Sequence, residues 1–471
     1  MALHQTLVPH ASPEERAALG RAARAEVPRS AQGRWDSRGD RADPIAILEE
    51  QSVCRAPELV PLRYGRMMAS PLAFFRGGSA TMASDLATTP RSGLAAQICG
   101  DAHLANFGIF AAPDRSLVFD LNDFDETLPG PWEWDVKRLA ASFEVAMRDR
   151  GLDPESRREA VLDGVAEYRT NMAALAGQTN LDVWYARLDA RALLKAFKGK
   201  SRRKAGATVA EKSLNDARIK TNLGALDRLT ATIDGRPRIV SRPPLVVPAA
   251  ELFAGDEFVR FDDAIRTFLH GYAESLADNR RGLLDQYEFC EVARKVVGVG
   301  GVGMRSWIVL AMGRDNADPL FLQLKQAESS VLERWLGRSR YRNHARRVVE
   351  GQRLMQATSD ALLGWHKVLA PDGSWHDFYV RQLWDGKSSI DVKSLPSGMF
   401  SLYARACAWT LARAHAKSGD RIAIAGYLGR GDVFDNAIAD FASSYADQNE
   451  SDYEAFVNAV RTGRIPAEEG V

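Results

Sequence analysis

Strand-forming sequence is confined to two islands in a chain otherwise patterned for helices, which restricts the 471 residues to a mostly helical α+β architecture. The first island holds short apolar runs at 94–99 and 117–120, each ending in a polar cluster. The second runs from 295 to 384, with strands expected at 295–302, 306–312, 320–324, 363–369 and 377–384 and a long helix over 340–362. Between and around the islands, apolar residues recur at helical spacing. Val136, Leu139, Ala140, Phe143 and Ala146 predict a helix over 133–150, and similar patterns cover 257–285, 397–417 and 432–460. Residues 1–45 read as a mobile lead-in. Residues 236–248, with four prolines, read as an extended connection.

Composition excludes several classes of function. Lys and Arg total 62 against 61 Asp and Glu, so no global charge draws the chain to nucleic acid or an anionic membrane. No run approaches the ~18 apolar residues of a membrane span. The N-terminal stretch has no continuous apolar core for a secretory signal. The four cysteines show no CxxC spacing, which argues against a zinc cluster or disulfide framework and leads us to expect a cytoplasmic protein. Lys195, Lys198, Lys200, Arg202, Arg203 and Lys204 form a basic stretch, read as a solvated loop or as a docking site for a polyanion.

Chemistry concentrates at the strand ends. In Cys-Gly-Asp-Ala-His-Leu-Ala-Asn over 99–106, Asp101 can orient an attacking hydroxyl and accept its proton, while the Asn106 amide oxygen can turn back to bind a metal. The segment from Asn106 to Asp120 has the length of a hairpin, which would return Asp120 beside Asn106 as a hard-oxygen pair suited to Mg²⁺. Asp123, Asp125 and Glu126 follow; four acids within seven residues repel one another unless a cation is present. A bland alternative is an acidic, solvated or capping turn. Gly298, Gly300, Gly301 and Gly303 fit GxGxxG, but strand-forming residues follow them, so the motif reads as a strand–turn–strand flap whose N–H groups can cover phosphates. Lys325 ends the next apolar strand, alternating with Leu322 and Leu324. Glu350, on the helix after it, is the expected partner acid. Trp132 and Trp134 read as core packing beneath the first loop.

Together these residues resemble the protein-kinase-like superfamily, and within it the aminoglycoside phosphotransferases. Gly100, Asp101, His103 and Asn106 match the catalytic loop, with Cys99 in place of its leading histidine. The resemblance implies catalytic roles for Asp101 and His103 and Mg²⁺ ligation by Asn106, Asp120 and Asp123. It implies ATP held by Gly298, Gly300, Gly301, Gly303 and Lys325 with Glu350, an adenine-binding strand at 378–384, and Asp135 buttressing the loop. The glycine turn and lysine follow the catalytic loop here, where that superfamily places them before it. A circular permutation accounts for this order. The chain resembles an uncharacterised bacterial domain-of-unknown-function family with such a permuted core, through signatures spread over roughly 50–465.

The expected architecture is therefore two-lobed. A helical catalytic-loop lobe over 46–290 is followed by a β-rich glycine-loop lobe over 291–385 and a helical return over 386–471. The expected activity is Mg²⁺- and ATP-dependent phosphoryl transfer to the hydroxyl of an unknown small-molecule or protein acceptor. Nucleotidyl transfer or silent nucleotide binding are the alternatives. A metallophosphoesterase is a further one, suggested by Gly100-Asp-Ala-His103 and by Gly431, Asp432 and Asp435, and a non-enzymatic interaction protein remains another.

Overall fold

The computed structural model describes residues 11–468, except 37–38, 201–211, 214, 218, 297 and 371–372. Its largest sheet is antiparallel and six-stranded. The strands run Gly364–Leu369, Trp375–Gln382, Pro319–Ala327, Ser306–Met312, Glu288–Lys295 and Val246–Pro248 in spatial order. Period-two alternation decides its faces. Leu320, Leu322 and Leu324 pack with Val309 against Phe268 and Tyr272 of the helix Asp256–Glu274. Phe321, Ile308 and Leu310 pack on the other side with Ala225 and Leu229. Lys325 has the parity of Phe321 and Gln323, so it leaves the sheet on that second face.

Several boundaries differ from expectation. The strand expected at 295–302 lies at Glu288–Lys295, where polar residues obscure the alternation, and the glycine-rich segment after it is a turn. A division placed at 290/291 thus falls inside a strand, and the sheet also recruits Val246–Pro248 from the extended connection. The helix expected over 340–362 is shorter, His344–Met355. Asn343 starts it by accepting the Arg346 N–H at 2.7 Å. Residues 13–26, within the expected mobile lead-in, form a helix with a capping box between Ser12 and Glu15. Arg16 of this helix pairs with Asp420 at 2.8 Å.

The helical part is built on Trp132–Asp149, Pro154–Ala176, Phe400–Ser418 and Val433–Arg461. Trp132 is fully buried and stacks on Tyr168 with ring centroids 5.6 Å apart, the packing role expected of it. Against this core lie the short strand Ala95–Ile98 and the hairpin Phe107–Ala111 with Leu117–Leu121, the hairpin expected between Asn106 and Asp120. Among the described residues no helix is long and apolar enough to cross a membrane. Part of the basic stretch, including Arg202, Arg203 and Lys204, lies outside the described residues.

Candidate active site

A cleft of about 1420 Å³ separates the six-stranded sheet from the helical part. Its walls come from segments distant in sequence. Asp101, His103, Asn106 and Asp123 line one side; Gly298, Gly300, Gly301 and Lys325 line the other.

The loop from 99 to 106 is held from behind. Strand Ala95–Ile98 delivers the chain to Gly100, whose φ of +80° and approach to the Glu126 carbonyl leave no room for a side chain. The backbone N–H groups of Cys99 and Gly100 both donate to Asp135, at 2.8 and 3.0 Å. His415 Nε2 lies 3.2 Å from the same carboxylate, and its Nδ1 lies 2.8 Å from the Tyr168 hydroxyl. Asp135 is thus the loop's buttress, and the helix Phe400–Ser418 orients it. With its backbone fixed, the loop presents Asp101 with one oxygen 2.6 Å from Arg138 Nε and the other 3.7 Å from His103 Nε2. The Asn106 amide nitrogen donates to the Asp101 carbonyl at 2.8 Å, which leaves the amide oxygen for the cleft. Burial, with Arg76 and Arg138 nearby, holds the His103 pKa well below the usual histidine value, so the ring is neutral. Its Nδ1 accepts the Ala105 N–H at 3.2 Å, so the ring proton sits on Nε2.

The acidic run divides into separate tasks. Asp120, expected as a metal ligand, is not in the cleft. It is fully buried, 2.5 Å from Arg413 Nη2, and accepts the Ala357 N–H at 2.7 Å. The strand Leu117–Leu121 is buried from Val118 to its end, which keeps Asp120 inside against the helix Phe400–Ser418, and the chain reaches the cleft three residues later. Asp123 takes that place. Its pKa is raised by burial and by Asp125, against the pull of Lys325 and Arg381. Asp125 forms a close ion pair with Lys325 and accepts the Tyr379 hydroxyl at 2.7 Å. Glu126 accepts the Val331 N–H at 2.8 Å, and burial pushes its pKa up to about 7.

Glu350 is not the partner of Lys325. It is half-buried, lies 3.6 Å from Arg353, and does not line the cleft. The helix contributes Arg347 instead, which donates to the carbonyls of Asp125, Thr127 and Glu328 at 2.8, 2.8 and 2.9 Å. The cations that the acidic run required are therefore largely protein side chains: Arg413, Lys325, Arg347 and Arg381. The charge crowding was the available signal for them.

The glycine turn is docked. Arg66 donates to the Gly298 carbonyl at 2.6 Å, Arg55 donates to Val302, and Ala56 N–H donates to Gly303 at 2.9 Å. Gly303, with φ +89°, packs on the Arg55 side chain rather than facing the cleft. From the strand expected to hold adenine over 378–384, Arg381, Leu383 and Trp384 line the cleft, and the strand itself ends at Gln382. Lys387 was not foreseen, since no motif marks it. It lines the cleft, and burial and Arg381 push its pKa down to about 7.

Asp123 and the Asn106 amide oxygen are hard-oxygen donors on the same cleft, of the kind that could hold Mg²⁺. Asp123 is a half-buried acid with one oxygen engaged only by the Asp125 N–H at 3.2 Å. Among the described residues no group of three or more His, Cys, Asp or Glu is arranged for a metal. Asp435 pairs with Arg169 at 2.7 Å, outside the cleft.

A family described as an uncharacterized protein conserved in bacteria, DUF2252, matches residues 55–459. No curated protein and no solved structure matches the chain.

Proposed function

The chain belongs to the DUF2252 family, and we propose that it is an Mg²⁺- and ATP-dependent phosphotransferase with a circularly permuted, protein-kinase-like core, acting on a hydroxyl acceptor. One observation carries the reading. Asp101, Asn106 and Asp123 share a single cleft with the Gly298–Gly301 turn and Lys325, about two hundred residues away in sequence. The order of elements supports it. The glycine turn joins strands Glu288–Lys295 and Ser306–Met312, the lysine stands on the next strand, and a helix follows. Kinases arrange the same parts so.

In this reading the nucleotide base lies against Leu383 and Trp384, and the turn's backbone N–H groups and the Lys325 ammonium cradle the phosphates. Asn106 and Asp123 would hold Mg²⁺, which supplies charge neutralisation on the phosphates when bound. Asp101 orients the acceptor hydroxyl and takes its proton, and Arg138 fixes the rotamer of that carboxylate. Neutral His103 lies with Nε2 3.7 Å from Asp101 and adds no competing base, because its Nδ1 lone pair accepts the Ala105 N–H. Asp125 departs from the ordinary kinase arrangement by holding the lysine in place of a helix glutamate.

Titration calorimetry with ATP, with and without Mg²⁺, tests the proposal. The wild-type protein should bind ATP in a Mg²⁺-dependent manner, and Asp123→Asn should lose that dependence. Transfer of label from γ-labelled ATP, and none from α-labelled ATP, would separate phosphoryl from nucleotidyl transfer. Absence of ATP binding to the wild-type protein would overturn the reading.

A further inference from the structure

The cleft is larger than one nucleotide requires. Its volume of about 1420 Å³ exceeds the ~300–1,000 Å³ of ordinary ligand pockets, which leaves room for a second small molecule. Beyond the residues assigned to nucleotide, the cleft is lined by the helices Pro44–Ser52 and Ser79–Leu86, by Arg76, and by residues of the segment 334–342.

Three arginines among these residues lack a direct partner. The acids there are engaged: Asp43 with Arg464 at 2.9 Å, Glu50 with Arg334 at 3.0 Å, and Asp101 with Arg138 at 2.6 Å. Arg76, Arg338 and Arg342 also line the cleft, yet among the described residues none of them makes an ion pair or a side-chain hydrogen bond. Arg76 Nε is buried with no partner. Arg76 feels the Asp101 and Asp123 carboxylates but hydrogen-bonds neither, so burial still disfavours its charge, and an arriving oxyanion would offset that cost through charge-assisted hydrogen bonds. Guanidinium groups suit phosphate in particular, because their donors match its oxygens in pairs.

We propose that Arg76, Arg338 and Arg342 bind a phosphate group on the acceptor, so that the substrate is a small hydroxyl compound already carrying a phosphate. The transfer step rests on the phosphotransferase reading. The acceptor's hydroxyl oxygen forms a bond to the γ-phosphorus, the bond from that phosphorus to the β,γ-bridging oxygen breaks, and ADP leaves. The hydroxyl proton goes to Asp101. The product carries two phosphates, so a reaction that makes a phosphate monoester must supply the substrate.

The test uses the full chain loaded with Mg²⁺ and a non-hydrolysable ATP analogue, so that the nucleotide site is filled. Glycerol 3-phosphate, ribose 5-phosphate and glucose 6-phosphate are titrated against glycerol, ribose and glucose, with inorganic phosphate as a separate arm. At least one organic phosphate should bind ten-fold or more tightly than its parent alcohol and more tightly than inorganic phosphate. Arg338→Ala/Arg342→Ala, exposed positions that the fold tolerates, should lower that affinity ten-fold or more and leave analogue affinity within two-fold; Arg76→Gln should do the same if it folds. If no phosphate ester outcompetes its alcohol, or the double variant binds it as the wild type does, the proposal is overturned. A protein that takes no nucleotide but loses phosphate-ester binding in the double variant would overturn the phosphotransferase reading and retain the phosphate site.

Discussion

Asp120 and Asp123 lie three residues apart, yet the structure gives them opposite consequences on substitution. Asp120→Asn leaves the Arg413 guanidinium buried beside a neutral amide, in a place where both side chains are 1% exposed. Removing one member of a buried pair costs about 3–5 kcal/mol, because the remaining charge has no solvent to turn to. Unfolding entropy of about 2.1 cal/mol/K per residue, over 471 residues, comes to about 1 kcal/mol/K if the chain unfolds as a unit, so melting should fall by about 3–5 °C. Asp123→Asn should do the reverse. It removes a carboxylate whose ionised form burial and Asp125 already disfavour, so the melting temperature should hold or rise, while Mg²⁺-dependent ATP affinity falls at least ten-fold. Differential scanning calorimetry and ATP titration on the same preparations read both quantities. Replacing both members of the pair, Asp120→Asn with Arg413→Met, should recover part of the lost stability. An Asp120→Asn protein that melts like the wild type but loses Mg²⁺-dependent binding, beside an Asp123→Asn protein that binds normally, would refute the assignment of the two acids.

Glu126, with its pKa pushed up to about 7 from the usual 4.5, holds its proton to higher pH in the folded state than in the unfolded one. Between those values folding takes up a proton, so stability should decline as pH rises, by up to about 3 kcal/mol; Glu126→Gln should flatten the profile in melts across that range. Lys387, pushed down to about 7, should be mostly neutral at pH 8 and become charged when phosphates enter the cleft. ATP binding there should take up about one proton, seen as a dependence of the calorimetric heat on buffer ionisation enthalpy and abolished in Lys387→Met. Asp135→Ala strips the acceptor from the Cys99 and Gly100 N–H groups, at about 1–3 kcal/mol each. Amide hydrogen exchange at those two residues should accelerate strongly, and unchanged exchange would show that Asp135 does not hold the loop.

Much of the candidate site is legible where chemistry and backbone form share a local pattern. Asp101 and Asn106 on their loop, the glycine turn between two strands, and Lys325 at a strand end all lie in the cleft as the residues suggest. Misassignments arise where tertiary packing chooses between neighbours of similar chemistry. Asp120 and Asp123 are both acids near a strand end, and tertiary packing separates them: Asp120 meets Arg413 in the interior, while Asp123 lies past the strand on the cleft. Glu350 and Arg347 share one helix. Its buried arc runs through Ala345, Val348, Val349 and Gln352, which carries Arg347 beneath the sheet and leaves Glu350 at the margin. Lys387 belongs to no pattern, since its surroundings come from Arg381 and the hairpin Phe107–Leu121 rather than from its sequence neighbours.

The pairing of Asp120 with Arg413 has a meaning for synthesis as well as for stability. Its two members are 293 residues apart, and Asp135 waits almost as long for His415, at a separation of 280. At about 5–20 residues per second, the ribosome needs about 15–60 s to deliver Arg413 after Asp120 has emerged. Throughout that interval the nascent 99–106 loop lacks the helix that orients its buttress, and two acids destined for the interior stay in water. A fragment ending before residue 400 should therefore leave the 99–106 loop without its buttress. The helix Phe400–Ser418 thus completes the support of the loop late in synthesis.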